Sequence, residues 1–164
     1  DYIVIRGCKG LRELATEAGF RGCEPCWQAV YDDAKPMPVH TDLTIRHPDD
    51  KDLPKVAASY ELGTEEEVRR DFNGPDFLGG YLGDEMVCYA GLHGEGSMGM
   101  LYVFPEYRRR GYGEAIFGTL CNNQLQKGRL PYAQIIDGND ASIALHRKLG
   151  FKIADDMLYW MWRK

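Results

Sequence analysis

Runs with the composition of β-strands alternate with helical patterns along the whole chain, and this alternation most restricts the fold. Eight short apolar or β-branched runs occupy residues 2–5, 26–31, 43–46, 77–83, 85–94, 97–104, 131–137 and 157–164. Four segments of helical periodicity lie between them, at residues 48–62, 63–72, 111–127 and 140–150. Strands interleaved with helices are typical of the α/β class, and 164 residues suffice for one such core.

The charge balance restricts the partners of the protein. Lys and Arg number 20 against 25 Asp and Glu, which gives a net charge of -5. Because nucleic-acid binders usually carry a basic surface, we expect no nucleic-acid partner. No apolar run approaches the roughly 20 residues that span a bilayer, and no cleavable leader is recognisable. We therefore expect no membrane association and a cytoplasmic location, whereas the oligomeric state stays open.

The cysteines do not form a disulfide framework, since their number is odd. Cys23 and Cys26 form a Cys-x-x-Cys pair, which suits a redox site or, together with Cys8 and His40, a zinc site. A redox pair normally opens a helix, whereas the residues after Cys26 have strand composition. The more economical interpretation is two ordinary cysteines flanking a turn, with no metal site.

Two further segments have local meaning. Thr64 and Glu67 have the spacing of a capping box, so the acidic residues 65–67 indicate the start of a helix rather than a metal cluster. Residues 32–42 contain Pro36 and Pro38 and are predicted to be a linker.

A faint internal repeat relates the two ends of the chain. Residues 1–21 align without gaps on residues 132–152, and both copies continue into an aromatic strand. The repeat predicts that residues 1–31 are the strand-helix-strand half of an earlier copy of the same fold. The alternative is that any strand, helix and glycine-initiated strand would align in this way.

Residues 97–117 combine a strand pattern, a short turn and a helix pattern, and the turn concentrates positive charge and glycine. Arginines occupy positions 108–110, directly before Gly111 and Gly113. Amides at a helix N-terminus bind phosphate well, and glycines let an anion approach the backbone. The spacing fits neither a dinucleotide fingerprint nor a P-loop. The turn therefore predicts a pyrophosphate site, with a tight turn carrying solvated arginines as the alternative.

The same segment resembles the acyl-CoA-binding motif of the GNAT superfamily of N-acetyltransferases, through Arg108-x-x-Gly111-x-Gly113. A second motif of that superfamily is matched within residues 139–151 by Asn139, Leu145, Lys148, Gly150 and Phe151. The resemblance covers residues 42–164. The tandem arrangement also resembles the glycine N-acyltransferase-like branch, in which a degenerate first copy precedes an active second one.

The resemblance implies a mixed, mostly antiparallel central sheet flanked by helices and splayed between the fourth and fifth domain strands. It divides the chain into a partial GNAT-like half with its linker, residues 1–36, and a GNAT domain, residues 37–164. It also implies acetyl-CoA or another acyl-CoA as cosubstrate. The residues implied to bind it are Leu101, Val103, Arg108, Arg109, Arg110, Gly111, Tyr112, Gly113, Glu114, Asn139 and Ser142.

Two catalytic roles follow from the chemistry of amine attack on a thioester. The CoA thiolate leaves more readily beside an acid, and His146 occupies the place of the motif tyrosine that commonly supplies it. The attacking amine needs a base, which many relatives place where this chain has Ser97. We expect Glu95 to replace it from the same strand face, with His93 and Tyr102 as lesser candidates. The alternatives are a structural role for His146 and an exposed turn position for Glu95.

The sequence thus predicts an N-acyltransferase that moves an acetyl or other short acyl group to a primary amine by direct attack. Cys88 and Cys121 receive no nucleophilic role. The acceptor would be a small-molecule or peptide amine, and aromatic residues within 157–164 would line either the core or the acceptor pocket. The alternatives are a non-catalytic acyl-CoA-binding or regulatory module, and a structural module that binds nothing.

Overall fold

The computed structural model describes residues 2–8 and 10–163. Asp1 and Lys9 of the predicted repeat and Lys164 of the predicted last strand lie outside these residues. Residues are packed into two compact units, one comprising Asp1–Asp32 and Tyr132–Lys164 and the other Asp33–Pro131.

Strands and helices alternate as the sequence predicts. The strands are β1 Tyr2–Arg6, β2 Phe20–Val30, β3 Thr44–Arg46, β4 Leu78–Leu82, β5 Glu85–Leu92, β6 Met98–Val103, β7 Tyr132–Ile136 and β8 Lys152–Arg163. The helices are α1 Leu11–Glu17, α2 Leu53–Ser59, α3 Glu65–Phe72, α4 Tyr112–Gln126 and α5 Asp140–Lys148. The prediction of the α/β class is confirmed.

The first unit consists of two interwoven strand-helix-strand segments. β1 pairs antiparallel with β8, with Tyr2 opposite Trp162. β8 also pairs with β2, which in turn pairs with β7, so that Cys26 faces Leu158 on one side and Ile136 on the other. The first strand of each segment is therefore hydrogen-bonded to the second strand of the other segment.

The secondary structure of the first unit agrees with the predicted repeat. Both aligned segments form a strand, a helix and a strand, as the repeat predicts. The first unit contains the strands and helices of both segments. The origin of residues 1–31 in an earlier copy, and the division into domains at residues 36 and 37, stay predictions.

The Cys-x-x-Cys pair does not flank a turn, and this expectation was wrong. Cys23 and Cys26 both lie inside β2, which starts at Phe20. Cys26 is buried, and burial foremost raises the pKa of its thiol to about 11. A thiol that stays protonated at neutral pH is a poor redox nucleophile or metal ligand.

The second unit contains β3, β4, β5 and β6 as an antiparallel sheet in sequence order. β4 and β5 are buried along almost their entire length, because helices cover both faces of the sheet. One face packs on α2 and α3 through an aromatic-rich core of Val56, Val68, Phe72, Phe77, Tyr81, Met86, Tyr89, Met100 and Phe104. The opposite face packs on α4, where Ile116 approaches Gly80.

The predicted linker is packed against a helix. Met37 is buried, and its backbone exchanges hydrogen bonds of 2.7 and 2.9 Å with the Asn122 side chain of α4. Val39 lies against Gly118 on the same helix. These contacts fix the segment in place although its prolines prevent regular structure.

Candidate functional site

The arginine and glycine turn connects β6 to α4 and contains two left-handed residues. A 3-10 turn, Pro105–Tyr107, follows β6, and α4 begins at Tyr112. Arg109 has a φ of 64° and Gly111 a φ of 81°. Gly111 is followed directly by the right-handed residues of α4. A left-handed residue next to a right-handed one turns successive amides to one side, which favours the binding of an anion. Gly111 was chosen from the sequence as a glycine of an anion site, whereas the left-handed conformation of Arg109 and of Gly111 was not predicted.

The N-terminus of α4 has the geometry that the pyrophosphate prediction requires. Intrahelical hydrogen bonds begin where Ala115 N–H donates to Gly111 O at 3.0 Å. The N–H groups before that bond are those that a helix directs out of its N-terminal end. A Cβ at Gly113 would meet only Val103 Cγ2, at 3.5 Å, so glycine is not required there by the fold. Its absence of a side chain instead keeps the approach to the amides open.

Two of the three arginines are bonded back to the turn itself. Arg108 Nε donates to Val103 O at 2.9 Å, and Arg110 Nη2 donates to Glu106 O at 3.3 Å. All three arginines remain exposed. They keep the positive potential at the turn while two of them also brace its backbone. Tyr112 is buried, so only its amide can contribute to an anion site.

β6 contains an irregularity beside the predicted pantetheine contacts. Tyr89 pairs with Tyr102 and Gly91 with Gly99, so three steps along β6 match two along β5. Met100 within this stretch has a φ of 50°, which is uncommon for a non-glycine residue. A bulge of this kind removes backbone groups from the ladder and is frequent beside active sites. Leu101 directly follows it, and no sequence pattern marks the bulge.

The predicted residues of the second motif meet on the first turns of α5. Asn139 is the N-cap, and its Oδ1 accepts from Ser142 N at 3.1 Å. His146 Nδ1 lies 2.7 Å from Ser142 O and 3.3 Å from Ser142 Oγ. These three residues belong to the first unit, whereas the turn and β6 belong to the second. The α5 residues are thus close to one another within the first unit, and the residues of β6 and the turn are close to one another within the second. Each predicted ligand contact stays a prediction.

The surroundings of His146 favour a neutral ring. The residue is buried and packs edge-on against Phe151, with ring centroids 5.0 Å apart. Burial lowers the pKa of His146, although the bond to Ser142 O acts in the opposite direction. A neutral imidazole that donates through Nδ1 carries its lone pair on Nε2, which suits an acceptor better than an acid. The leaving-group acid at His146 stays a prediction.

Glu95 occupies the turn of the β5–β6 hairpin. His93 N–H donates to Ser97 O at 2.9 Å and closes that turn. Glu95 is exposed at its tip and accepts a hydrogen bond from the buried Ser97 hydroxyl. Its expected position on a strand face with Ser97 was wrong, because β5 ends at Leu92 and β6 starts at Met98. Its role as base stays a prediction.

A polar cluster beside this turn was missed by sequence analysis. Asp71 of α3 is buried, with one oxygen 3.8 Å from His93 Nδ1. The ring of Tyr60 lies 6.4 Å from that of His93, and burial foremost raises the pKa of Tyr60. Asp71 and Tyr60 have no motif in their sequence neighbourhood. Only their approach to His93 in three dimensions distinguishes them.

The two cysteines excluded as nucleophiles are deep in the second unit. Cys88 of β5 and Cys121 of α4 are both 0% exposed. Burial raises the pKa of each thiol to about 12. Such thiols are protonated at neutral pH and inaccessible to a thioester, so neither is suited to carry an acyl group.

Two further properties of the described residues concern membranes and metals. Across residues 2–8 and 10–163, no helix combines the length and the hydropathy that a bilayer crossing demands. Within the same ranges, no three His, Cys, Asp or Glu side chains are grouped so that they could hold a metal ion.

Comparisons with known proteins agree with the motifs. The model of the FR47-like protein family matches residues 80–161, which is half of the chain. This region contains the β5–β6 hairpin, the turn before α4 and the whole of α5. No curated protein sequence matches the chain.

Several solved structures share the fold. An X-ray structure of a Drosophila protein aligns with a TM-score of 0.78 at 22% identity, covering 94% of this chain and 56% of that one. A GCN5-related N-acetyltransferase from Sphaerobacter thermophilus aligns at 0.68 and 16%, covering 98% and 58%. A tandem GNAT protein from the clavulanic acid biosynthesis pathway also gives 0.68 and 16%, covering 98% and 63%.

The present chain therefore spans little more than half the length of these solved relatives. Its fold is theirs, and half of its residues match one family model. The chain belongs to the FR47-like protein family.

Proposed function

We propose that the protein is an acyl-CoA-dependent N-acyltransferase that transfers an acetyl or other short acyl group to a primary amine. The observation that carries the proposal is the turn between β6 and α4. There, left-handed backbone at Arg109 and Gly111 precedes the N-terminus of α4, and Gly113 leaves the amides accessible. This combination suits the pyrophosphate of CoA.

The proposed binding mode extends from the turn onto β6. Backbone groups of Leu101 and Val103 would pair with the pantetheine arm as an added strand does. The Val103 carbonyl already accepts from Arg108 at 2.9 Å, so pairing there requires the carbonyl's second lone pair or a shift of the guanidinium.

Direct attack by the amine is the chemistry that the residues favour. The buried thiols of Cys88 and Cys121 are unsuited to an acyl-enzyme intermediate. An amine near its ordinary pKa of about 10 is mostly protonated at neutral pH, so a base is needed before attack. The charge of -5 favours approach of a cationic acceptor by long-range steering.

Release of CoA thiol in the presence of acetyl-CoA and single amines tests the proposal. The acceptors are glycine, spermidine and a peptide with one lysine, each with product identified by mass. We expect thiol release to depend on one of these amines and the product to gain one acetyl group. Binding of acetyl-CoA without amine-dependent release would instead identify a non-catalytic acyl-CoA-binding module.

A further inference from the structure

A histidine and a buried carboxylate face each other at the end of the β5–β6 hairpin. Asp71, in the last turn of α3, is 9% exposed. Its Oδ2 lies 3.8 Å from His93 Nδ1, and its Oδ1 lies 2.8 Å from the Arg70 guanidinium. A buried carboxylate requires such partners because an uncompensated charge is costly in the interior. Since Nδ1 faces the carboxylate, Nε2 is the ring nitrogen directed away from it.

The backbone of β6 makes room for this imidazole. A Cβ placed on Gly99 would lie 2.2 Å from His93 Nε2, which is far inside van der Waals contact. The ring therefore rests on the strand at Gly99, immediately before the irregular Met100. Leu101, proposed to contact the pantetheine arm, is the next residue along this strand. The histidine nitrogen thus lies at the strand on which the thioester is proposed to bind.

We propose that His93 is the general base for the acceptor amine and that Asp71 positions its ring; this inference rests on the proposed function. The amine nitrogen forms a bond to the thioester carbonyl carbon. The C–S bond breaks, and its electron pair leaves on the CoA sulfur. The amine proton passes to His93 Nε2, and the resulting imidazolium is balanced by Asp71 until the proton passes to solvent.

The surroundings of His93 suit a positively charged amine and an imidazolium. Three carboxylates and one guanidinium come close to the ring or to its neighbour Tyr60. The charged and titratable groups facing His93 are Tyr60, Glu67, Arg70, Asp71 and Glu95. The excess of negative charge stabilises a cation arriving from solvent. It also stabilises the charge that His93 acquires when it takes the proton.

His93 is better placed than Glu95 for this role. The imidazole is about one-third exposed, at 32%, and is held between α3 and β6. Glu95 lies at the exposed tip of the turn. A base that is partly shielded from water and fixed in orientation contributes more to proton transfer than a solvated carboxylate.

Kinetics with matched variants test the assignment. His93→Gln removes the base, and the turn keeps its backbone bonds because only the His93 main chain makes them. The control His40→Gln makes the same substitution at an exposed histidine of the second unit. With acetyl-CoA and the amine acceptor, we expect kcat/KM to fall by about 100-fold or more in His93→Gln. His40→Gln should retain the wild-type value.

Two further variants separate positioning from stability. Asp71→Asn should lower kcat with little change in the KM for acetyl-CoA. In the pH profile of kcat/KM, this variant should also move the acidic limb to lower pH. That limb should be absent in His93→Gln. Gly99→Ala forces the imidazole to move while Asp71 and His93 are retained, so kcat should fall without loss of acetyl-CoA binding.

Acetyl-CoA binding by thermal melt distinguishes the possible failures. If wild type does not bind acetyl-CoA, the proposed function fails, and the inference fails with it. If wild type binds and transfers but His93→Gln keeps its rate and its acidic limb, only the inference is overturned. A large loss in Glu95→Gln with no loss in His93→Gln would assign the base to Glu95 and overturn it equally.

Discussion

At the scale of single residues, the burial of His146 has a consequence for stability. Burial lowers the pKa of His146, so the folded protein leaves the ring neutral at pH values where the unfolded chain binds a proton. The contribution of His146 to the free energy of unfolding is therefore fully present above the unfolded-state pKa of about 6.5 and decreases as the pH falls below it.

The variant His146→Asn tests this pH dependence, because its amide can still donate toward Ser142 O while it cannot titrate. We expect the free energy of unfolding of the variant to fall less than that of wild type between roughly pH 6.5 and pH 5. Urea denaturation at a series of pH values measures the difference. Parallel curves for the two proteins would show that His146 does not titrate on unfolding.

Single residues were chosen from the sequence where a motif marked them, and their predicted contacts with CoA stay predictions. Gly111 is left-handed and Asn139 caps α5, and both were chosen from their motifs. Asp71 could not be chosen, because its importance comes from its approach to His93, which is 22 positions away in the β5–β6 turn. Glu95 was misplaced by strand alternation, since the hairpin turn interrupts the strand there.

At the scale of secondary-structure elements, the capping box of α3 is a direct test of local sequence information. Thr64 Oγ1 accepts from Glu67 N at 3.2 Å, and Thr64 N donates to Glu67 Oε2 at 2.8 Å. This box starts the helix that carries Asp71. Because the cap satisfies amides that the helix would otherwise leave to water, its loss weakens the helix end.

Thr64→Ala should therefore lower the free energy of unfolding by about 1 kcal/mol. Thr16→Ala is the control, because the Thr16 hydroxyl donates to Arg12 O within a helix turn and satisfies no N-terminal amide. Chemical denaturation measures both. An equal effect of the two substitutions would contradict a special role for the cap.

Element boundaries were less predictable than the elements themselves. β2 begins at Phe20 although the strand pattern starts only at residue 26, because glycine, glutamate and Pro25 precede that point. Proline weakens a strand locally, yet Pro25 O accepts from Asp137 N at 2.9 Å and β8 pairs alongside. Pairing on both sides overrides the local preference. β8 likewise extends back through Asp155 and Asp156 to Lys152.

The pairing of strands within the first unit predicts how the protein behaves after a single cut in its chain. β2 is hydrogen-bonded to both β7 and β8, while β1 is hydrogen-bonded to β8. A protease site introduced at residues 33–36 would place β1 and β2 on one fragment and their partners β7 and β8 on the other. We expect the two fragments to co-elute on size exclusion after complete cleavage, and to separate only in denaturant. Separation under native conditions would contradict the pairing.

The alternation of strands and helices predicted the α/β class, and two motifs predicted the family. The pairing of residues 1–32 with residues 132–164 was not predicted, because strand partners distant in sequence are set by non-local contacts that no local pattern contains. The bulge at Met100 was missed for the same reason, since it depends on the register between β5 and β6.

The backbone conformation of the two glycines decides which variant tests acetyl-CoA binding at the turn before α4. Gly111 has a left-handed φ, so an aspartate there would add strain to any effect on binding. Gly113 has no left-handed φ, and a Cβ there would make only ordinary contact with Val103 Cγ2 at 3.5 Å, so Gly113→Asp places a carboxylate at the anion site without that strain. Gly63→Asp adds the same acid at an exposed glycine before α3.

The most direct measurement is a thermal melt of wild type and these two variants, with and without acetyl-CoA at matched salt. At about 100 times its dissociation constant, a ligand stabilises the folded state by about 2.7 kcal/mol, which raises the Tm by several degrees. We predict this rise for wild type and Gly63→Asp and its loss in a folded Gly113→Asp. An unchanged Tm in wild type, or an equal rise in Gly113→Asp, would contradict acyl-CoA binding at this turn.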